Sequence, residues 1–251
     1  MSETRPIALV TGASAGLGEE YCRQLAQRCD TIIAVARRAD RLQALQAELS
    51  SSTRLVPVVA DLATVEGVTR TVEALRQQGP PDILVNNAGF STFGDFGHSV
   101  LEDELQVVRL QIDATLELVR ASVPFMRERG GGQIINVASI GAFLNMKQTA
   151  VYGGCKAFMV SFSQALQAEL AADNIRVQCF CPGLTRTEIH DTPYFEGFDK
   201  SRLPTELWMD AGPVVAASLA ALVQDEVVVI PGTVNREMVR QGLQRQLGSL
   251  Q

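Results

Sequence analysis

Short runs of apolar, often β-branched residues alternate along this chain with longer stretches in which apolar residues recur every three or four positions. The short runs are IALVT (7–11), TIIAVA (31–36), RLVPVVA (54–60), DILVNN (82–87), QIINVAS (133–139), IRVQCFCP (175–182) and VVVIPG (227–232). Most are apolar at nearly every position rather than at alternate ones, as expected of parallel strands buried on both faces. The intervening segments 17–28, 38–50, 65–78, 102–129, 151–172 and 212–224 read as helices. Leu42, Leu45 and Leu49 carry the spacing of a buried helical stripe, and the glycine run 130–132 stops the long fourth helix. The repeated strand–helix order predicts an α/β fold, a doubly wound parallel sheet of about seven strands with helices on both faces. No internal repeat, low-complexity tract or linker interrupts the pattern, so one domain is expected over residues 1–251.

Two segments depart from the rhythm. Residues 184–211 show no strong period but hold Tyr194, Phe195, Phe198 and Trp208, which is the character of a lid or binding loop; a packed surface excursion is the alternative. Near the C-terminus, Val234, Met238, Leu243 and Leu247 predict an amphipathic tail helix over 234–247.

Composition narrows the function classes. A net charge of −6 without a basic cluster argues against nucleic acid as a partner. Cys22, Cys29, Cys155, Cys179 and Cys181 form no CxxC pair, and with two histidines in the chain a metal centre is not expected. The odd cysteine number points to buried thiols in a reducing compartment. The N-terminus MSETRP is polar, and the apolar run VVAASLAALV is about half a membrane span, so a cytoplasmic protein without a membrane span is expected.

The candidate chemistry starts at VTGASAGLG (10–18), which leaves the first strand and opens the first helix. Glycines at 12, 16 and 18 allow a tight turn and a close approach of backbone to a pyrophosphate. The helix N-terminus then offers free N–H groups to phosphate; a plain structural turn is the alternative. At the end of the second strand, where an acidic residue would hold a ribose 2′-hydroxyl, the chain has Ala36, Arg37 and Arg38. A guanidinium there can pair with a 2′-phosphate, which favours NADP(H) over NAD(H); two solvated arginines at a helix start are the alternative.

A third pattern sits at SIGAFLNMKQTAVYGGCKAF (139–158). Ser139 precedes Tyr152 by 13 residues, and Lys156 follows Tyr152 by four, one helical turn. Together with TGASAGLG, NNAG (86–89) and PGLTRT (182–187), in that order, this set resembles the short-chain dehydrogenase/reductase family, over about residues 5–232. The resemblance implies a Rossmann-like NAD(P)-binding domain and an enzyme that interconverts a carbonyl and an alcohol.

By that resemblance Tyr152 is the proton donor in reduction and the base in oxidation. Lys156 favours the phenolate and binds the nicotinamide ribose, and Ser139 hydrogen-bonds the substrate oxygen. A free tyrosine, with a pKa of about 10, needs such a neighbour to act as a base near neutrality. Gly12, Ser14, Ala15, Gly16, Leu17 and Gly18 line the phosphates. Asp61 and Leu62 lie at the adenine, Asn87, Ala88 and Gly89 beneath the cofactor, and Pro182, Gly183, Thr185 and Thr187 near the carboxamide and phosphates. For Asp61 a helix N-cap is an alternative role. Gln111 stands where many members carry the asparagine of a proton relay, and is counted with the catalytic residues. The helices 102–129 and 151–172 are the implied surfaces of a homodimer or homotetramer.

Phe90, Phe93, Phe96, Phe143, Leu144 and Met146, with the aromatics of 194–208, suit an apolar pocket and hence a small hydrophobic carbonyl or alcohol as substrate; ordinary core packing for most of them is the alternative. Two rivals stay open: a non-catalytic dinucleotide-binding sensor or scaffold of the same fold, and a sugar-nucleotide epimerase or dehydratase, whose substrate region is usually longer.

Overall fold

In the computed structural model, residues 6–79 and 81–249 are described. Seven parallel strands form one sheet in the order β3-β2-β1-β4-β5-β6-β7. They are β1 (Ile7–Thr11), β2 (Thr31–Ala36), β3 (Arg54–Val59), β4 (Ile83–Asn86), β5 (Gly132–Val137), β6 (Ile175–Phe180) and β7 (Val228–Val229). The strand order reverses between β1 and β4, opening a crevice at the C-terminal edge of the sheet, where ligands of such folds bind.

The helices are α1 (Gly16–Leu25), α2 (Ala39–Leu49), α3 (Val65–Gln78), α4 (Leu101–Val108), α5 (Ala114–Arg129), α6 (Ala150–Leu170), α7 (Ala211–Ala221) and α8 (Thr233–Gly248). Successive strand residues face opposite sides, so the continuously apolar strands feed two cores. Val10, Ile32 and Ala34 pack with Leu25 of α1, Leu42 of α2 and Val214 of α7. Leu9, Ile33 and Val35 pack on the other face with Leu75 of α3, Leu118 of α5 and Leu166 of α6. Every residue of β2 is buried, which explains why its sequence shows no alternation.

The predicted helix over 102–129 is one continuous path with an internal change of winding. A π-helical turn, Arg109–Asp113, separates α4 from α5 and carries Gln111 inward to full burial. β7 is shorter than the predicted 227–232, with two residues pairing against β6. The predicted tail helix is present as α8.

A buried polar chain aligns the central strands with α6. Asn86 and Asn136 face each other across β4 and β5, and Asn86 Nδ2 donates to Asn136 Oδ1 at 2.8 Å. Asn136 Nδ2 donates in turn to Ser163 Oγ at 3.0 Å. All five cysteines are buried free thiols, and Cys179 and Cys181 sit on one side of β6 with sulfurs 3.8 Å apart. Among the described residues no cluster of metal-ligating side chains occurs, and no helix is long and apolar enough to cross a membrane.

The Asn136 link is expected to matter for stability. Asn136→Ala leaves the Asn86 amide without its acceptor in a dry site and removes the donor to Ser163. A loss of about 2–3 kcal/mol in urea unfolding is expected. An unchanged midpoint would show that the chain of amides is incidental.

Candidate functional site

The glycine turn between β1 and α1 is built by close backbone packing. Gly12 and Gly16 adopt φ of +68° and +56°, which disfavour any residue with a Cβ. A Cβ on Gly12 would stand 2.8 Å from Asn87 Nδ2, and one on Gly18 would stand 2.2 Å from the Gly12 carbonyl oxygen. Gly18 therefore serves the packing of turn on helix, and does not itself line the cleft. Ala15 occupies the N-cap position of α1 in extended conformation and no side chain caps the helix there.

Thr11, at the end of β1, fixes the neighbouring segment. Its Oγ1 accepts from the N–H groups of Asn87 and Ala88, both at 2.9 Å, while Asn87 Nδ2 donates to the Thr11 carbonyl at 2.9 Å. These bonds hold Asn87, Ala88 and Gly89 against the glycine turn. Thr11 was absent from the sequence expectations, although a hydroxyl ending the first strand is visible in VTG.

One cleft of about 680 Å³ runs along the C-terminal edge of the sheet. Its wall includes Gly12, Ser14, Ala15, Gly16 and Leu17 from the turn, Arg37 and Arg38 after β2, and Asp61 and Leu62 after β3. Asn87, Ala88 and Gly89 follow β4, and Pro182, Gly183, Thr185 and Thr187 follow β6. Ser139, Tyr152 and Lys156 line the same cleft. Residues scattered over the sequence thus meet because the loops after β1 to β6, and the helices α1 and α6, bring them to the same sheet edge.

Arg37 and Arg38 differ in their bonding. Arg38 Nε and Nη2 donate to the hydroxyl and carbonyl of Ser14 at 3.2 and 3.1 Å, and Nη1 donates to Glu188 at 2.8 Å. Arg37 is exposed at the rim. Asp61 does not cap α3: Thr64 does, its Oγ1 accepting from Gly67 N at 3.0 Å. Asp61 Oδ1 instead accepts from Ala63 N at 3.0 Å and shapes the turn at the cleft wall.

At the deep end, Lys156 is buried and donates from Nζ to the Val137 carbonyl at 2.9 Å. The same Nζ lies 5.4 Å from the centre of the Tyr152 ring. Ser139 Oγ accepts from Gly141 N at 3.0 Å, which leaves its own hydrogen available to the phenol. Burial pushes the Tyr152 phenol up, and hydrogen bonding with Ser139 pulls it partway back. Burial lowers Lys156 to about 8.

The Gln111 side chain does not line the cleft beside these three. It is fully buried behind the cleft, where Nε2 donates to the Phe90 carbonyl at 2.9 Å and Oε1 has no partner. Its side chain packs beneath Gly89, 3.4 Å from where a Cβ would stand. The π turn places its side chain beneath the floor of the NNAG loop rather than on the cleft wall.

The irregular segment 184–211 folds as short 3-10 turns at Glu188–Asp191, Pro193–Phe195, Lys200–Arg202 and Thr205–Leu207. It is pinned across the cleft by Phe93 N donating to the Tyr194 carbonyl at 3.0 Å, and by ring contacts of Phe93 with Phe195 and Phe198 at 6.0 and 5.3 Å. Of the aromatics expected in the pocket, Phe90, Phe93, Phe195 and Phe198 line it, as do Leu144 and Met146. Phe96 is 58% exposed, Phe143 packs under the sheet's far edge, and Trp208 stacks edge-on to His190 at 5.1 Å. His190, Leu203, Leu207 and Met238 line the cleft without having been expected there. Met238 comes from α8, which is clamped by Gln246 donating to the Phe143 carbonyl at 3.0 Å.

Comparison with known proteins agrees with this geometry. The family model described as short chain dehydrogenase matches residues 6–193. A probable NADP-dependent dehydrogenase of Haemophilus influenzae is 34% identical over 195 residues, 77% of each chain. Among solved structures, a short-chain dehydrogenase from Sphingobium yanoikuyae in complex with NADPH superposes with a TM-score of 0.84 at 32% identity, covering 97% of this chain and 95% of that one. The bulky-bulky ketone specific alcohol dehydrogenase of Comamonas testosteroni superposes with a TM-score of 0.81 at 29% identity, covering 98% and 94%. A sheet of this order, a glycine turn facing its switch point and a match over three quarters of the sequence lead to one assignment: the chain belongs to the short-chain dehydrogenase family.

Proposed function

We propose that this protein is an NADP(H)-dependent oxidoreductase that interconverts a carbonyl group and an alcohol on an apolar substrate. The observation that carries this reading is the meeting of Ser139, Tyr152 and Lys156 at the deep end of the cleft, with the ammonium 5.4 Å from the phenol ring.

The cleft fits a dinucleotide. The glycine turn lines it, the α1 N-terminus is free of side-chain caps, and the end of β2 carries Ala36, Arg37 and Arg38 with no carboxylate among them. Arg37 and Arg38 favour a 2′-phosphate over a bare 2′-hydroxyl. When bound, the nicotinamide supplies or accepts the hydride. The protein holds the proton. In reduction the Tyr152 hydroxyl donates to the substrate oxygen while Ser139 orients that oxygen; in oxidation the Tyr152 phenolate takes the proton back. Lys156 lies one turn along α6 and stabilises the phenolate by charge. Its bond to Val137 leaves further N–H groups to hold the nicotinamide ribose.

The substrate reading rests on the rings of Phe90, Phe93, Phe195 and Phe198 and on Leu144, Leu207 and Met238 around the cleft. The ketone specificity named for the Comamonas relative supports a ketone as the group acted on. Association of two or four copies through α4–α5 and α6 belongs to this reading, with Leu101, Leu105 and Leu116 exposed on that face.

Tyr152→Phe removes the proton donor and keeps the ring. Turnover of NADPH with an apolar ketone is expected to fall by about 10²–10⁴-fold while NADPH binding, read by calorimetry, is retained. Equal rates in the variant and the wild type would reject the assignment and favour a dinucleotide-binding scaffold.

The pH response follows from the raised phenol. Reduction needs the protonated form, which dominates throughout the neutral range, so its rate is expected to stay nearly flat from about pH 6 to 8. Oxidation needs the phenolate, so its rate is expected to climb by up to about tenfold per pH unit below the phenol pKa. An oxidation rate that fell with rising pH over this range would contradict the assigned roles.

A further inference from the structure

The lid carries an anion to the place where a 2′-phosphate would bind. Glu188 opens the first 3-10 turn of the lid and lies 150 residues from Arg38 in sequence. Its Oε2 accepts from Arg38 Nη1 at 2.8 Å, and its Oε1 lies 3.6 Å from Arg41 Nη2, one turn further along α2. The remaining edge of the Arg38 guanidinium is spent on Ser14 in the glycine turn. Ser14, Arg38 and Glu188 all line the cleft. Arg38 is the N-cap residue of α2, where a cation opposes the helix dipole, so the position favours an anion beside it.

Resting on the NADP(H) reading above, we infer that Glu188 is a built-in stand-in for the cofactor's 2′-phosphate. The carboxylate and the phosphate compete for Arg38, and phosphate binding frees the first turn of the lid. A phosphate monoester carries close to two charges at neutral pH against one for the carboxylate, and it presents three acceptor oxygens. Both anions cannot share the Arg38 guanidinium without like-charge repulsion. The Arg38–Glu188 pair is half exposed, 43% and 50%, so it is a weak bond that a ligand displaces readily. A cofactor lacking the 2′-phosphate has nothing to displace the carboxylate with, and the lid stays fastened. Glu188 thus adds a second layer to cofactor discrimination. The arginines attract the phosphate, and the lid responds to it alone.

The chain's single tryptophan, Trp208, sits in the lid and rests on His190, two residues after Glu188, so its emission reports the lid. The test uses adenosine 2′,5′-diphosphate and adenosine 5′-monophosphate, which differ by the 2′-phosphate alone, with calorimetry and Trp208 fluorescence on wild type, E188Q and R38A. In the wild type the diphosphate is expected to bind more tightly and to shift Trp208 emission, and the monophosphate is expected to leave emission unchanged. E188Q is expected to bind the diphosphate about two- to fivefold more tightly, with monophosphate affinity unchanged. Its emission without ligand is expected to match that of the liganded wild type. Unchanged or weakened diphosphate binding in E188Q, with R38A still losing the preference, overturns the role of Glu188 and leaves the NADP(H) reading standing. No preference for the diphosphate in the wild type overturns both.

Discussion

The site depends on one buried ammonium. Lys156 is almost wholly removed from water, and its bond to the carbonyl of Val137 ties α6 to the last residue of β5. Burying a cation is costly, which is why its pKa falls to about 8. The same bond fixes the geometry that makes the cost useful. Ser139 follows Val137 by two residues, and Tyr152 precedes Lys156 by one helical turn, so anchoring the lysine at the strand end sets the serine and the phenol against each other. The Asn86–Asn136–Ser163 chain reinforces this alignment from within the sheet, since it joins the neighbouring β4, β5 itself and the later part of α6.

Around this rigid centre the two ends of the cleft are made differently. The end bearing the glycine turn consists of backbone held at close range, where Thr11 carries three hydrogen bonds to the segment after β4. The other end is assembled from long side chains of the 184–211 segment and α8, with rings packed around Phe93 and His190. Backbone held by such bonds is the sturdier material, since its position does not depend on which side chains it carries. Side chains on turns and on a tail helix are the easier place to change substrate shape.

The sheet and most helices were legible because local patterns decide them. Apolar strands of five or six residues and a three-and-four leucine stripe leave little choice, and the helix 65–78 was read to the residue. The glycine turn, the NNAG loop and the Ser139–Tyr152–Lys156 spacing were legible as local motifs, and the structure brings them to one cleft. What escaped depends on contacts between distant segments. The π turn that carries Gln111 beneath Gly89 has no spacing signature. The exposure of Phe96, the inward turn of Met238 and the place of His190 follow from how the lid and α8 settle on the sheet. The short β7 reflects its position at the sheet edge, where it pairs on one side.

The central claim is that the Lys156 ammonium makes the Tyr152 phenol a usable acid and base. Ultraviolet titration of the phenolate, taken as the difference between a protein and its Tyr152→Phe counterpart and measured with oxidised dinucleotide bound, reads that phenol directly. The account predicts that the phenolate forms at a distinctly lower pH in the wild type than in Lys156→Met. The same titration midpoint with and without the lysine would contradict it.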